Sequence, residues 1–85
     1  MLKIFWVALD VVRDAMPVVR EVSARSAQLA NQLERAVTSI PLNLAEGAGE
    51  RGGNRASRYY TALGSAREVQ AVLLTAQSAG YVECV

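Results

Sequence analysis

Arg51, Arg55 and Arg58 fall within eight residues, and Tyr59 and Tyr60 follow directly. Guanidinium groups hold phosphate oxygens and aromatic rings stack on bases. This stretch is therefore the best candidate contact for RNA or DNA in the chain, with phosphates on the three arginines and a base on Tyr59. The competing reading is a solvated turn whose arginines serve solubility and local ion pairs. Carboxylates are the other chemically able groups. General acid–base work would need Glu46 together with Glu50 or Glu68, but nothing in their spacing sets them across a common pocket. The chain has no His, and Cys84 is its single Cys. That removes the commonest general base, the commonest metal ligand, an internal disulfide and a Cys-rich zinc centre. Gly47, Gly49, Gly52 and Gly53 make no phosphate loop, because no Lys-Ser/Thr pair follows them and no strand precedes them. The expectation is a protein without catalysis, cofactor, metal or small-molecule substrate.

The scaffold that must position these groups is small. At 85 residues the chain is one domain, 1–85, of a size that buries only about 60% of its unfolded surface. Nine basic and eight acidic residues leave a net charge of +1, so nucleic-acid binding would have to come from a local patch. The longest uncharged stretches, Ala36 to Ala45 and Val69 to Val82, contain polar residues and fall short of the roughly twenty apolar residues of a membrane span. The apolar run from Ile4 to Leu9 ends at Asp10, too soon for a signal-peptide core. With a lone thiol, this fits a cytoplasmic protein that does not meet a membrane.

Ala, Arg and Leu are abundant and favour helix, and no stretch alternates with period two. Three helices are expected, over about 2–24, 26–48 and 54–79. Ile4, Ala8, Val11, Ala15, Val18 and Val22 form the first apolar stripe at spacings of four and three. Pro17 interrupts it from the polar face, where the carbonyl it frees can meet water, so one bent helix is expected. Ser26 is the expected N-cap of the second helix. Its stripe is Leu29, Leu33, Ala36, Ile40 and Leu44, with Pro41 inside it and Gly47 and Gly49 as its stop. Asn54 or Ser57 is the expected cap of the third helix. Tyr59, Ala62, Ala66, Val69, Leu73 and Ala76 carry that helix's stripe, Gly64 allows a close helix contact, and Gly80 ends it. Short turns between amphipathic helices give an all-α, antiparallel up-down bundle.

The run Gln32-Leu33-Glu34-Arg35-Ala36-Val37-Thr38-Ser39-Ile40-Pro41-Leu42-Asn43-Leu44-Ala45-Glu46-Gly47 resembles the signature of the small bacterial four-helix bundle proteins, the 23S rRNA intervening-sequence protein family. Ala62-Leu63-Gly64-Ser65-Ala66-Arg67-Glu68, Leu73-Leu74 and Gly80-Tyr81 look like the family's third helix and its end. The resemblance spans about Leu29 to Tyr81. It implies an all-α four-helix bundle without known catalysis. Some relatives are encoded within insertions in large-subunit ribosomal RNA genes. A related branch, the accessory variability proteins of diversity-generating retroelements, forms a pentameric barrel with a basic surface that contacts a reverse transcriptase and nucleic acid. Members usually continue into a fourth helix after the Gly-Tyr pair, whereas only Tyr81 to Val85 follow Gly80 here. Three amphipathic helices would leave an apolar seam, and such seams recruit partners. The expectation is therefore a homo-oligomer acting as a scaffold or accessory factor, or one that pairs with another protein. Its alternative is an RNA- or DNA-binding accessory module using Arg51, Arg55, Arg58 and Tyr59.

Within the matched run, Arg35, Ser39, Pro41, Asn43, Glu46 and Gly47, with Arg67 from the second block, are expected to be structural. Asn43 borders the core and should bond backbone groups near Pro41. Glu46 should pair with Arg58 or Arg67, or meet Ser65. Arg35 should form an ion pair within the bundle or across a subunit contact. Phe5, Trp6 and Tyr81 are expected as packing or interface anchors.

Overall fold

A computed structural model of the protein describes residues 2–49 and 53–83. Three helices, α1 (Lys3–Ser23), α2 (Ala27–Ala48) and α3 (Gly53–Ser78), account for its regular structure, with no strand among the described residues. The expected bounds hold to within one residue at each end.

Local chemistry sets those bounds. Ser26 is extended (φ −153°, ψ 102°), and its Oγ accepts the Leu29 N–H at 3.1 Å. One of the free donors of the first turn is thereby satisfied. Before it, the Val22 carbonyl accepts the N–H groups of Arg25 and Ser26 at 2.9 and 2.8 Å. At the end of α3, Gly80 stands at φ +80° and donates to the Gln77 carbonyl at 3.0 Å, while Tyr81 donates to the Ala76 carbonyl at 2.9 Å. This pair of bonds is a Schellman turn, whose left-handed residue favours Gly. Beyond it Val82 is buried in the core.

Other expected signals play different parts. Asn54 and Ser57 do not stand ahead of α3, because the helix already runs from Gly53 and encloses both. Gly47 does not stop α2. It is buried inside the helix against the Tyr59 ring, and Gly49 is the cap, in the right-handed region at φ −90°. Gly64 makes no helix contact, since nothing lies within 4 Å of where its Cβ would stand. Both prolines lie inside unbroken helices. Pro17 is exposed, as expected from its polar face, whereas Pro41 is buried.

α2 is the central helix. α1 packs along one of its sides and α3 along another, while α1 and α3 approach each other far less than either approaches α2. The molecule is a rod of 43 × 19 × 18 Å, close to the roughly 39 Å expected of 26 helical residues. Its larger core cluster joins Val19 and Val22 of α1, Ala30 and Leu33 of α2, and Val72 and Ala76 of α3, with Val82 laid across them. A smaller cluster at the other end holds Ala8, Leu44 and Ala62, with Phe5, Ile40 and Tyr59 against it. The two ends are therefore unequally closed. Leu33, Val22 and Val37 are fully buried, whereas Ile4 is 53% exposed.

Candidate interaction site

The open end exposes a groove between α1 and α3, with α2 as its floor. One hollow of about 240 Å³ is lined by Ile4, Val7, Ala8 and Val11 of α1, Ile40 of α2, and Ala66 and Val69 of α3. A second of about 250 Å³ shares Ile4, Ile40 and Ala66 and continues past Leu63 to Tyr59. Every lining residue is apolar apart from the Tyr59 hydroxyl. Ile4, Val7, Val11 and Leu63 remain exposed, although Ile4 and Val11 belong to the stripe expected to be core. The stripe of α1 spans more of the helix than α2 covers, so its outer edge meets water. α3 also departs from the one-sided pattern, with Tyr60 and Leu74 exposed beside Leu63. Water against so much adjoining apolar surface is unfavourable by roughly 25 cal/mol per Å², and contiguous patches of this kind mark interaction sites.

On another flank, α2 and α3 enclose a polar cleft lined by Gln32, Arg35, Ala36, Ser39, Ser65 and Glu68. Ser39 is its hub. Its Oγ accepts from Asn43 Nδ2 at 2.9 Å and from Ser65 Oγ at 2.8 Å, and Asn43 Nδ2 also donates to the Ser39 carbonyl at 2.9 Å. The expected role of Asn43 is therefore realised within the turn that holds Pro41. Ser65 meets Ser39 rather than Glu46. Arg35 is exposed and makes no ion pair among the described residues, so the expected ion pair within the bundle is absent there. Arg67 is likewise exposed and makes no ion pair among the described residues, and Glu46 is taken by Arg58 at 2.9 Å.

That pairing bears on the arginine cluster. Arg58 is turned to Glu46, and Arg55 Nε donates to the Gly47 carbonyl near the end of α2 at 3.3 Å. Both therefore tie the start of α3 to the end of α2. A cation beside the last carbonyls of a helix is favourable, which explains basic residues where a helix N-terminus alone would disfavour them. Tyr59 lies half-buried on Gly47 and the smaller core cluster, its ring engaged in packing. Tyr60, beside it, is 74% exposed. Arg51 lies outside the described residues. Of the expected anchors, Phe5 packs on the smaller core cluster. The Trp6 ring meets Phe5 edge-on at 5.3 Å and is 57% exposed. Tyr81 packs on the larger cluster beneath the Arg25 guanidinium, 5.5 Å from its ring centre.

The family model of the 23S rRNA-intervening sequence protein matches residues 2–84. The chain belongs to this family. No curated protein and no solved structure matches the chain. In this intervening-sequence protein the signature run is helix α2 together with the contacts that bind α3 to it: Ser39 to Ser65, Gly47 to Tyr59, and Glu46 to Arg58. Sequence reasoning missed Val7 and Leu63 as groove residues. The signal was present for Val7, which lies four residues before Val11 on the same helical row. For Leu63 nothing local distinguishes a groove rim from a core flank. No described helix is long and apolar enough to cross a membrane.

Proposed function

We infer that this protein is a non-catalytic assembly module that self-associates through the α1–α3 groove and serves as a scaffold or accessory factor. The observation that carries the reading is the groove itself. Ile4, Val7, Val11 and Leu63 form a continuous exposed apolar surface around Ile40. Symmetric self-association is the commonest way for a soluble chain to cover such a surface. A cytoplasmic location fits the reading. The RNA or DNA alternative has less to stand on, because Arg55 and Arg58 are engaged within the molecule and Tyr59 is packed.

Size-exclusion chromatography with light scattering tests the reading, with absorbance followed at 260 and 280 nm. The expected result is a mass that is a multiple of 9.1 kDa, free of nucleic acid, and reduced to one copy by Val7→Lys. A monomeric wild-type chain at tens of micromolar would overturn it. A complex whose 260 nm signal disappears with nuclease would put the nucleic-acid reading first.

A further inference from the structure

We propose that the polar cleft between α2 and α3 binds a small zwitterion, a free α-amino acid, with its carboxylate on Arg35 and its ammonium on Glu68. The cleft shares no lining residue with the α1–α3 groove, so the proposal stands apart from self-association.

Arg35 and Glu68 line this one cleft from neighbouring helices, carry opposite charges, and do not pair. Both are exposed. Within its own helix neither has an opposite charge three or four residues away, the spacings at which helical side chains meet. Glu46, the other carboxylate on the α2–α3 seam, is held by Arg58. Among the described residues the cleft therefore carries one guanidinium and one carboxylate without an ion-pair partner.

The hydroxyls of the cleft supply a further donor. Thr38, Thr61 and Thr75 each return their hydroxyl to the carbonyl four residues back. Ser39 and Ser65 instead bond each other at 2.8 Å, and Asn43 Nδ2 also donates to Ser39 Oγ at 2.9 Å. Two hydroxyl protons thus share a single bond. Whichever way that bond runs, one O–H of the pair is left to donate. It stands in the cleft with Arg35 and Gln32.

These groups select by repulsion as much as by attraction. A bare anion drawn to Arg35 meets Glu68, and a bare cation drawn to Glu68 meets Arg35. The same carboxylate disfavours a chain of phosphates. A molecule that carries both charges satisfies both walls at once. Its carboxylate suits the planar fork of Arg35, which takes such a group in paired hydrogen bonds, with the spare Ser hydroxyl as a third donor. Its ammonium is a donor for Glu68. The cleft holds about 600 Å³, within the roughly 300–1,000 Å³ of small-molecule sites. Gln32 also borders an adjoining hollow of about 300 Å³ that includes Gln28, Thr75 and Tyr81, which gives room for a polar amino-acid side chain.

Amide NMR titration of the full chain with L-glutamine tests the site, with acetate and ethylammonium as single-charge probes. The expected result is a saturable shift of amides in 32–39 and 65–68, with each single-charge probe binding at least about tenfold more weakly. Arg35→Gln and Glu68→Gln should each raise the glutamine Kd about tenfold or more. Arg35→Lys, which keeps the charge without the fork, should raise it by a smaller factor. Arg67→Gln, at a position that lines neither hollow, should bind like wild type. Helical circular dichroism checks folding, and Arg35→Lys stands in for Arg35→Gln if that variant fails to fold. No saturable shift at tens of millimolar glutamine would overturn the site, and acetate binding as tightly as glutamine would overturn the zwitterion. So would equal weakening by Arg67→Gln, which would show only a general effect of charge. Stability losses in Arg35→Gln and Glu68→Gln that are coupled to each other without ligand would show that the two side chains pair directly, and would also overturn it. None of these outcomes depends on whether the chain is monomeric or assembled.

Discussion

Replacing Gly47 by Ala and Gly64 by Ala makes the same chemical change in two helices, with opposite expected outcomes. A Cβ at position 47 would stand 2.5 Å from Tyr59 Cε1, 2.7 Å from Cδ1 and 3.2 Å from Arg58 Cβ. The Tyr59 ring cannot simply swing away, because it is packed against the cluster of Ala8, Leu44 and Ala62. Overpacking of this kind costs about 1–3 kcal/mol, against a gain in helix propensity of about 0.5–1 kcal/mol for Gly to Ala. The net expectation is a loss of up to about 2.5 kcal/mol. At position 64 a Cβ meets nothing within 4 Å, so only the propensity term acts and stability should rise by about 0.5–1 kcal/mol. For a domain of this size each kcal/mol moves Tm by about 4–8 °C. Urea and thermal unfolding, followed by circular dichroism at one protein concentration, measure both. In a Tyr59→Ala background most of the penalty at Gly47 should go with the obstructing ring, leaving the 3.2 Å approach to Arg58 Cβ. Equal stabilisation by the two Ala variants would refute the close helix approach at Gly47.

Leu33→Ala should cost about 2–5 kcal/mol, because Leu33 is fully buried where all three helices and Val82 meet; most of the chain would be unfolded by circular dichroism at 37 °C. Ser26→Ala should lower stability by about 1 kcal/mol in urea unfolding, through loss of the bond to Leu29 N–H. Arg58→Gln should change stability by less than about 1 kcal/mol, since its pair with Glu46 is half exposed; a larger loss would show that this link fixes the α2–α3 turn. Gly80→Ala should cost about 1 kcal/mol through the left-handed backbone at φ +80°, seen as earlier exchange of the last amides of α3.

Much of the fold was legible because helices announce themselves locally. The stripe Leu29, Leu33, Ala36, Ile40 and Leu44 named the core face of α2, and Leu33, Ala36 and Leu44 are buried. Ser26 and Gly80 marked boundaries because a cap is a bond between residues three to five apart. The candidate site was less legible. Ile4 and Val11 read as core because periodicity reports a face and not its cover. Asn54 and Ser57 are good capping residues that lie past the start of a helix reaching back to Gly53. Arg55, Arg58 and Tyr59 looked available for nucleic acid because their acceptors and packing partners, Glu46 and Gly47, belong to another helix.

The sequence by itself determined the helices, their caps, their apolar faces and, through the run from Gln32 to Gly47, the family. All of these are local or ordered along the chain, and 3.6-residue periodicity with short-range hydrogen bonds is enough to encode them. The tertiary structure alone decided which glycine faces a ring, which arginine takes Glu46, and where the apolar stripes of α1 and α3 go uncovered. Each of those depends on how two helices distant in sequence are set against α2, a relation between faces that no single stretch of residues contains.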